Sequence, residues 1–220
     1  IEKVLDEDYM LPSFTLTYLP EFNENLQFRL GLSQTIARPT FRELSPTLFI
    51  DVDTDRVIAG SLYLENTELD NIDFRAEYYW GANQFITVGL FYKDISKPIE
   101  EVVNESGDLI VTSYQNVPGA ELTGFELEYE RLFEDLLPNS SWANSKEFLL
   151  KMNLTAIESE VIHGANDTYV NSQGSLINAA SLFANGRDTR LQGQSDVIGN
   201  IQLGWDDFQN GSQGTLIINY

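Results

Sequence analysis

The sequence predicts an all-β fold built from antiparallel strands long enough to cross a membrane. Three observations predict it: apolar and polar residues alternate along eight segments, the segments run for seven to eleven residues, and short connections alternate with long ones. A tilted strand needs about nine to eleven residues to cross the bilayer core, whereas soluble strands more often have about five or six residues. The pattern therefore indicates a segment of an up-and-down transmembrane β-barrel.

The alternation places one apolar and one polar face on each predicted strand. The predicted strands cover residues 13–19, 25–35, 72–80, 86–93, 124–130, 148–155, 196–205 and 214–220. Their apolar positions include Phe14, Leu16 and Tyr18 in the first strand and Phe148, Leu150, Met152 and Leu154 in the sixth.

The connections give the predicted barrel a direction. Residues 20–24, 81–84 and 206–213 form short connections, 132–146 a medium one, and 37–71, 96–121 and 158–194 long ones. Barrels of outer membranes have short periplasmic turns and long extracellular loops. Aromatic residues close to the short turns would form a belt at the periplasmic interface, and we expect this belt to contain Tyr18, Tyr78, Trp80, Phe85, Tyr129 and Trp205.

Charge limits the possible partners and the width of the barrel. The net charge of −21 argues against nucleic acid, because phosphate binding needs clustered lysine and arginine. The polar faces carry many charges that a narrow, filled barrel could not bury. We therefore expect a wide, wet lumen lined by Arg29, Asp73, Arg75, Glu77, Lys93, Glu126, Glu128, Glu130, Lys151 and Asp196.

Catalytic and metal sites find little support in the sequence. There are no cysteines, which excludes thiolate metal sites, and His163 is the only histidine, which excludes a histidine-rich metal site. Asp51, Asp53 and Asp55 resemble the start of a calcium loop, but Arg56 stands where that loop needs glycine. We therefore predict no catalytic residues, no metal site, no cofactor and no enzymatic activity.

Several stretches resemble the TonB-dependent outer-membrane receptors, and they occur in the same order as in that family. Residues 33–46 (SQTIARPTFRELSP) resemble a junction between a barrel strand and an extracellular loop. Residues 60–64 and 69–79 are similar to the family's "G-N-x-x-L" and "N-x-D-x-x-x-E-Y-Y" stretches, with Ser61 replacing the usual asparagine. Residues 89–100, 116–129 and 192–200 resemble later strands of the barrel, and the closest branch resembles large receptors linked to carbohydrate uptake.

The resemblance implies a barrel of about 22 strands that is closed by a plug and driven by the TonB complex. We accordingly expect residues 1–220 to form a single partial barrel domain without the plug or the final strands. The expected protein is a receptor of the Gram-negative outer membrane. It would take up a ligand such as an oligosaccharide or a siderophore, with membrane lipid around the barrel.

The long loops hold the candidate ligand contacts, because aromatic, amide and guanidinium groups suit sugars and other polar ligands. We name Arg38, Arg42, Tyr114, Asn116 and Arg187 as candidates. Two alternatives remain at this point. One is a soluble secreted β-sandwich that binds a ligand, and the other is an acidic polysaccharide-degrading enzyme that uses Glu126 and Glu128.

Overall fold

The computed structural model describes residues 7–53, 56–81, 84–106, 109–133, 146–181, 190–207 and 209–220. Its strands, in chain order, are β1 (Ser13–Tyr18), β2 (Leu26–Ala37), β3 (Phe49–Asp51), β4 (Arg56–Ala59), β5 (Thr67–Gly81), β6 (Gln84–Ser96), β7 (Ile99–Ser106), β8 (Leu109–Asn116), β9 (Gly119–Phe133), β10 (Lys146–Ile162), β11 (Thr168–Val170), β12 (Leu176–Asn178), β13 (Val197–Asp207) and β14 (Ser212–Asn219). One helical turn, α1 (Phe41–Leu44), and a 3-10 turn (Ala179–Ser181) lie between strands. No helix in the described part of the chain is long and apolar enough to span a membrane.

Within the described residues, eight strands form one antiparallel sheet, which we call the main sheet. Its order is β1-β2-β5-β6-β9-β10-β13-β14, so each strand pairs with the next main-sheet strand along the chain. This is the up-and-down topology of a barrel segment, and it confirms the predicted fold class. The elements left out of this sheet all lie in the three long loops.

The register brings the apolar faces of all eight strands onto one side of the main sheet. Leu30 stands opposite Phe74, Phe74 opposite Leu90, and Leu90 opposite Phe125. Many of these side chains have no protein neighbour to cover them, and Phe14, Leu90 and Leu216 are each more than half exposed. An apolar surface of this extent needs an apolar environment, which the bilayer supplies. We call this side the outward face.

Charged residues mark the two ends of the outward face. In β10 the apolar positions Phe148–Ala156 lie between Lys146 and Glu158, and they extend for about 27 Å along the strand. At the loop end, a row of carboxylates crosses four strands in register: Asp70, Asp94, Glu121 and Glu160. The apolar band therefore has the height of a bilayer core, with charge beginning where water begins.

The opposite side, the inner face, carries the charges that were predicted to line a wet lumen. Ion pairs join Arg75 to Glu126 at 3.3 Å and Lys151 to Glu130 at 3.0 Å. Most groups in these pairs remain well exposed, which is expected where a wide lumen keeps them in contact with water. Asp196 lies just before β13 and pairs with the loop residue Arg190 at 2.8 Å.

The aromatic belt is confirmed on the outward face with one correction. Tyr18 stacks on Phe28, and Trp80 contacts both Tyr78 and Tyr129. Phe85 lies on the inner face instead, where it contacts Tyr79. The reason is the strand register: Phe85 stands opposite Tyr79 and Glu130, and both of these residues point to the inner face.

A pair of lysine substitutions tests the assignment of the two faces. Leu154 points outward and Thr155, its neighbour in β10, points inward opposite Glu126. We expect Leu154→Lys to destabilise the vesicle-inserted protein by about 1–3 kcal/mol, because a charge inside the bilayer core is poorly solvated and the cost falls from the midplane to the interface. Thr155→Lys should change stability little, because the lumen is wet and a carboxylate lies opposite.

The measurement is urea unfolding of the protein, expressed from its complete reading frame and refolded into phospholipid vesicles. Equal stability of the two lysine variants would contradict the assignment of the outward face to lipid.

Candidate functional site

The three long loops fold over the loop end of the inner face, where that face becomes apolar. Leu69, Ile95, Ala120 and Val161 stand in register across β5, β6, β9 and β10. Loop residues cover this row and form one buried cluster with it, the loop anchor: Val102 and Val117 from the second loop, and Tyr169, Ile177, Ala179 and Leu191 from the third. Strands β5, β6, β9 and β10 are longer than predicted, because their hydrogen-bonded pairing continues beyond the apolar band to the residues that contact the loops.

The first loop is held by a capped helical turn and a close backbone contact. Thr40 and Glu43 form a reciprocal capping box at the start of α1. Beyond α1, the backbone N–H groups of Gly60 and Ser61 donate to the carbonyls of Ser45 and Glu43, both at 2.7 Å. A Cβ atom on Gly60 would lie 2.4 Å from the Glu43 carbonyl oxygen, so only glycine fits there.

A second sheet joins the first two loops. Its strand order is β3-β4-β8-β7, and we call it the loop sheet. The connection between loops is the parallel pairing of β4 with β8, where Ile58 stands opposite Thr112. The third loop is attached to β7 through Gln192, whose side-chain amide donates to the Glu101 carbonyl at 2.8 Å and accepts from the Glu101 N–H at 3.1 Å. The long connections thus contain regular structure of their own.

One face of the loop sheet packs toward the loop anchor, and the other carries an aromatic and charged surface, the recognition face. The Arg42 guanidinium lies 4.3 Å from the Phe49 ring centre and 3.2 Å from the Asp51 carboxylate. Across β8, Arg56 of β4 lies 4.0 Å from Glu101 of β7, and Glu101 stands opposite Tyr114 of β8. The strand pairing places Asp51, Arg56, Glu101 and Tyr114 on the same side of the loop sheet.

Tyr114 lies within the electrostatic field of this recognition face. Burial raises the pKa of its hydroxyl, the Glu101 carboxylate raises the pKa further, and Arg42 opposes that rise. The hydroxyl therefore stays protonated at physiological pH and can donate a hydrogen bond to a ligand.

The structure brings only two of the predicted candidates together. Arg42 and Tyr114 belong to the recognition face, while Arg38 is exposed just beyond the end of β2. Asn116 has other partners: it accepts from the Glu65 N–H at 2.8 Å and donates to the carbonyls of Glu65 and Lys97 at 3.0 and 2.7 Å. Arg187 lies outside the described residues.

A small pocket lies where the three loops meet, and the sequence did not single it out. Its volume is about 190 Å³, and its lining includes Tyr63, Glu65, Lys97, Pro118 and Tyr169. The Lys97 ammonium lies 2.5 Å from the Glu65 carboxylate, and this hydrogen bond raises the pKa of Lys97. No local motif could have revealed the pocket, since its walls come from three separate connections.

Glu100 occupies the buried junction between the second and third loops. It is only 9% exposed, its carboxylate accepts from the Gln192 N–H at 3.3 Å, and Gln115 stands opposite it in the loop sheet. Burial raises the pKa of Glu100 to about 7, against the opposing effect of the Gln192 hydrogen bond. The side-chain nitrogen of Gln115 is itself buried without a hydrogen-bond partner among the described atoms.

Together, the outward apolar band, the charged inner face and the loops folded over its end define a segment of an outer-membrane β-barrel. The sequence matches the family described as "TonB dependent receptor-like, beta-barrel" over residues 3–220. The chain therefore belongs to the TonB-dependent receptor family, whose members are outer-membrane receptors and not enzymes.

Two solved structures share the fold. The siderophore receptor PirA from Pseudomonas aeruginosa is 12% identical with a TM-score of 0.50, and the match covers 95% of this chain and 34% of that one. The ferric enterobactin receptor PfeA, solved in complex with BCV-L6, is 16% identical with a TM-score of 0.50, and the match covers 94% and 27%. This chain thus spans about a third of the solved receptors or less. No curated protein matches it.

Removing the Asn116 amide should loosen the loops without affecting the main sheet. Asn116→Ala leaves one backbone N–H and two carbonyls without their partner, which costs about 1–3 kcal/mol where these groups are shielded from water. Hydrogen exchange should become faster in residues 63–66 and at Lys97. The exposed Arg38→Ala is the control, and equal exchange in the two variants would contradict this role.

The buried Glu100 carboxyl should make loop packing depend on pH. The pKa of Glu100 in the folded state, about 7, is above the ordinary glutamate pKa of 4.5. Loop packing is therefore strongest below about pH 4.5, weakens as the pH rises, and is weakest above about pH 7. The full loss is about 3 kcal/mol. Hydrogen exchange of residues 99–106, corrected for intrinsic rates, should show this weakening.

Glu100→Gln should remove the effect, because glutamine keeps the shape and does not ionise. Glu101→Gln is the matched control on the exposed neighbour, and it should keep most of the pH dependence. An unchanged pH profile in Glu100→Gln would show that another group is responsible.

Proposed function

We propose that this chain forms the lumen wall and part of the ligand vestibule of a receptor that takes up a polar ligand with TonB-derived energy. The observation that carries the proposal is the inward folding of the loops. The loop anchor fixes the second and third loops above the lumen, and the loop sheet joins the first loop to the second. The side of the loop sheet that carries Phe49 and Tyr114 is the recognition face, where Arg42 of α1 lies against Phe49. A transporter needs such a fixed surface at the mouth of its pore, because binding must precede passage.

The recognition face favours a neutral polyhydroxylated ligand such as an oligosaccharide over an anionic siderophore. Arg42 and Arg56 both have carboxylate partners, so neither is a free positive charge. The chain as a whole carries a net charge of −21, which would repel an anion. The Phe49 and Tyr114 rings can pack against sugar rings, and the paired charges can hydrogen-bond to hydroxyl groups.

Arg38 and Arg187 remain proposed contacts, at the end of β2 and in the third loop respectively. For Asn116 we propose a supporting role, because its amide already bonds to three backbone groups. Energy coupling would act through a plug inside the barrel, against the charged inner face.

Binding measurements test the recognition face. The protein, expressed from its complete reading frame and purified in detergent, is titrated with neutral oligosaccharides and with ferric siderophores. We expect Tyr114→Ala and Arg42→Gln each to weaken binding about tenfold, since each removes one contact of about 1–2 kcal/mol. Gln213→Ala, at the short-turn end, should bind as the unmodified protein does.

Uptake by cells then separates binding from transport. Accumulation of the bound ligand should cease when TonB is removed, while binding at the cell surface continues. Uptake that continues without TonB would contradict the energy coupling, and a preference for ferric siderophores would contradict the neutral ligand.

A further inference from the structure

Positive charge on the outward face occurs only at the short-turn end within the described main-sheet strands. Four cations of these strands occupy positions on the inner face: Arg29, Arg75, Lys93 and Lys151. The cations on the outward face are therefore Arg131 and Lys146. Lys146 is neutralised by Asp207 at 2.7 Å, and both side chains are nearly inaccessible. Arg131 is exposed, and no carboxylate in the described residues forms an ion pair with it.

Aromatic rings hold the Arg131 guanidinium at this rim. Its central carbon lies 4.9 Å from the Phe133 ring centre and 6.0 Å from the Trp80 ring centre. Trp80 is itself fixed, because its indole N–H donates to the Gln84 side chain at 3.1 Å. Cation–π contacts use the guanidinium face and leave its N–H edge available for an oxyanion, which it can bind in bidentate fashion.

An apolar groove begins beside Arg131 and continues across the neighbouring strands. Two residues that line the groove also adjoin Arg131: Phe133 contacts its guanidinium, and Leu150 stands directly opposite it in β10. The groove has a volume of about 600 Å³, and its outward-facing lining comprises Phe133, Phe148, Leu150, Leu203, Trp205 and Leu216. It stays open at Gly214, where a Cβ atom would lie 2.6 Å from the Trp205 indole nitrogen.

We propose that Arg131 and this groove form a binding site for one phospholipid of the periplasmic leaflet. The phosphate is bound by the guanidinium edge, and an acyl chain lies in the groove. Charge complementarity supports this occupant, because a lone cation beside an apolar groove matches a phosphate joined to a hydrocarbon chain. On the outward face of the described strands this end carries Arg131 and the ion pair of Lys146 with Asp207, whereas the loop end carries a row of carboxylates.

The site depends on the outward orientation of these residues in the outer membrane and is independent of the ligand proposed above. Loss of ligand binding by recognition-face variants would not affect it. Conversely, failure of the lipid site would leave the proposed transport intact.

The test uses the protein expressed from its complete reading frame, stripped of lipid in detergent and incubated with palmitoyl-oleoyl phosphatidylglycerol. Native mass spectrometry then measures how much lipid is retained. We expect one retained lipid per protein, about tenfold less retention in Arg131→Gln, and retention within about threefold of the original in Arg131→Lys. Lys151→Gln removes a nearby cation on the inner face and should retain lipid normally.

Two further probes establish which part of the lipid is recognised. Diacylglycerol with the same chains lacks the phosphate and should be retained about tenfold less, while glycerol 3-phosphate lacks the chains and should not compete at equal concentration. Leu216→Gln places an amide in the groove and should also lower retention, with Arg131 still in place. Equal retention by Arg131→Gln, or equal binding of either partial ligand, would overturn the proposal.

Discussion

The structure depends on one constraint: in a bilayer, every backbone N–H and C=O of a spanning strand must bond to a neighbouring strand, because the hydrocarbon offers no partner. The continuous ladders of the main sheet meet this requirement, with β10 paired along nearly its full length to β9. A ladder of this kind fixes the register, and a fixed register assigns every side chain to one of two faces. The outward band, the charged inner face and the position of each loop all follow from that assignment.

The inner face then changes character along its height, and this change allows the loops to be ordered. Near the short turns it is polar, as the pairs of Arg75 with Glu126 and of Lys151 with Glu130 show. At the loop end the same face presents Ile95 and Val161, which loop side chains cover. Loops attached only by polar contacts to a wet wall would gain little from burial. The apolar row gives them a surface to pack on, so the recognition face is held above the lumen by hydrophobic contact.

Most of the main sheet could be predicted because each strand carries its own alternating pattern of apolar and polar residues. In Leu26–Ala37 or Phe148–Ala156 this pattern shows which side chains share a face, even before the neighbouring strands are known. Strand ends could not be predicted, because Thr67–Leu69 and Glu158–Ile162 become strands only through pairing beyond the membrane. Phe85 was placed on the wrong face since proximity to a turn does not determine parity.

The candidate site was harder to predict, because it depends on contacts between distant segments. Composition correctly indicated that Arg42 and Tyr114 lie in exposed loops, but the parallel pairing of β4 with β8 that unites them leaves no local trace. Asn116 shows the converse: an amide in a loop looks like a ligand contact until its three backbone partners are known. The residue types that hold a loop in place are the same types that contact polar ligands. Hydrogen bonding separates the two groups, because a loop-holding side chain has its partners within the protein. A cation with no ion-pair partner among the described residues, such as Arg131, is therefore the stronger indication of an external partner.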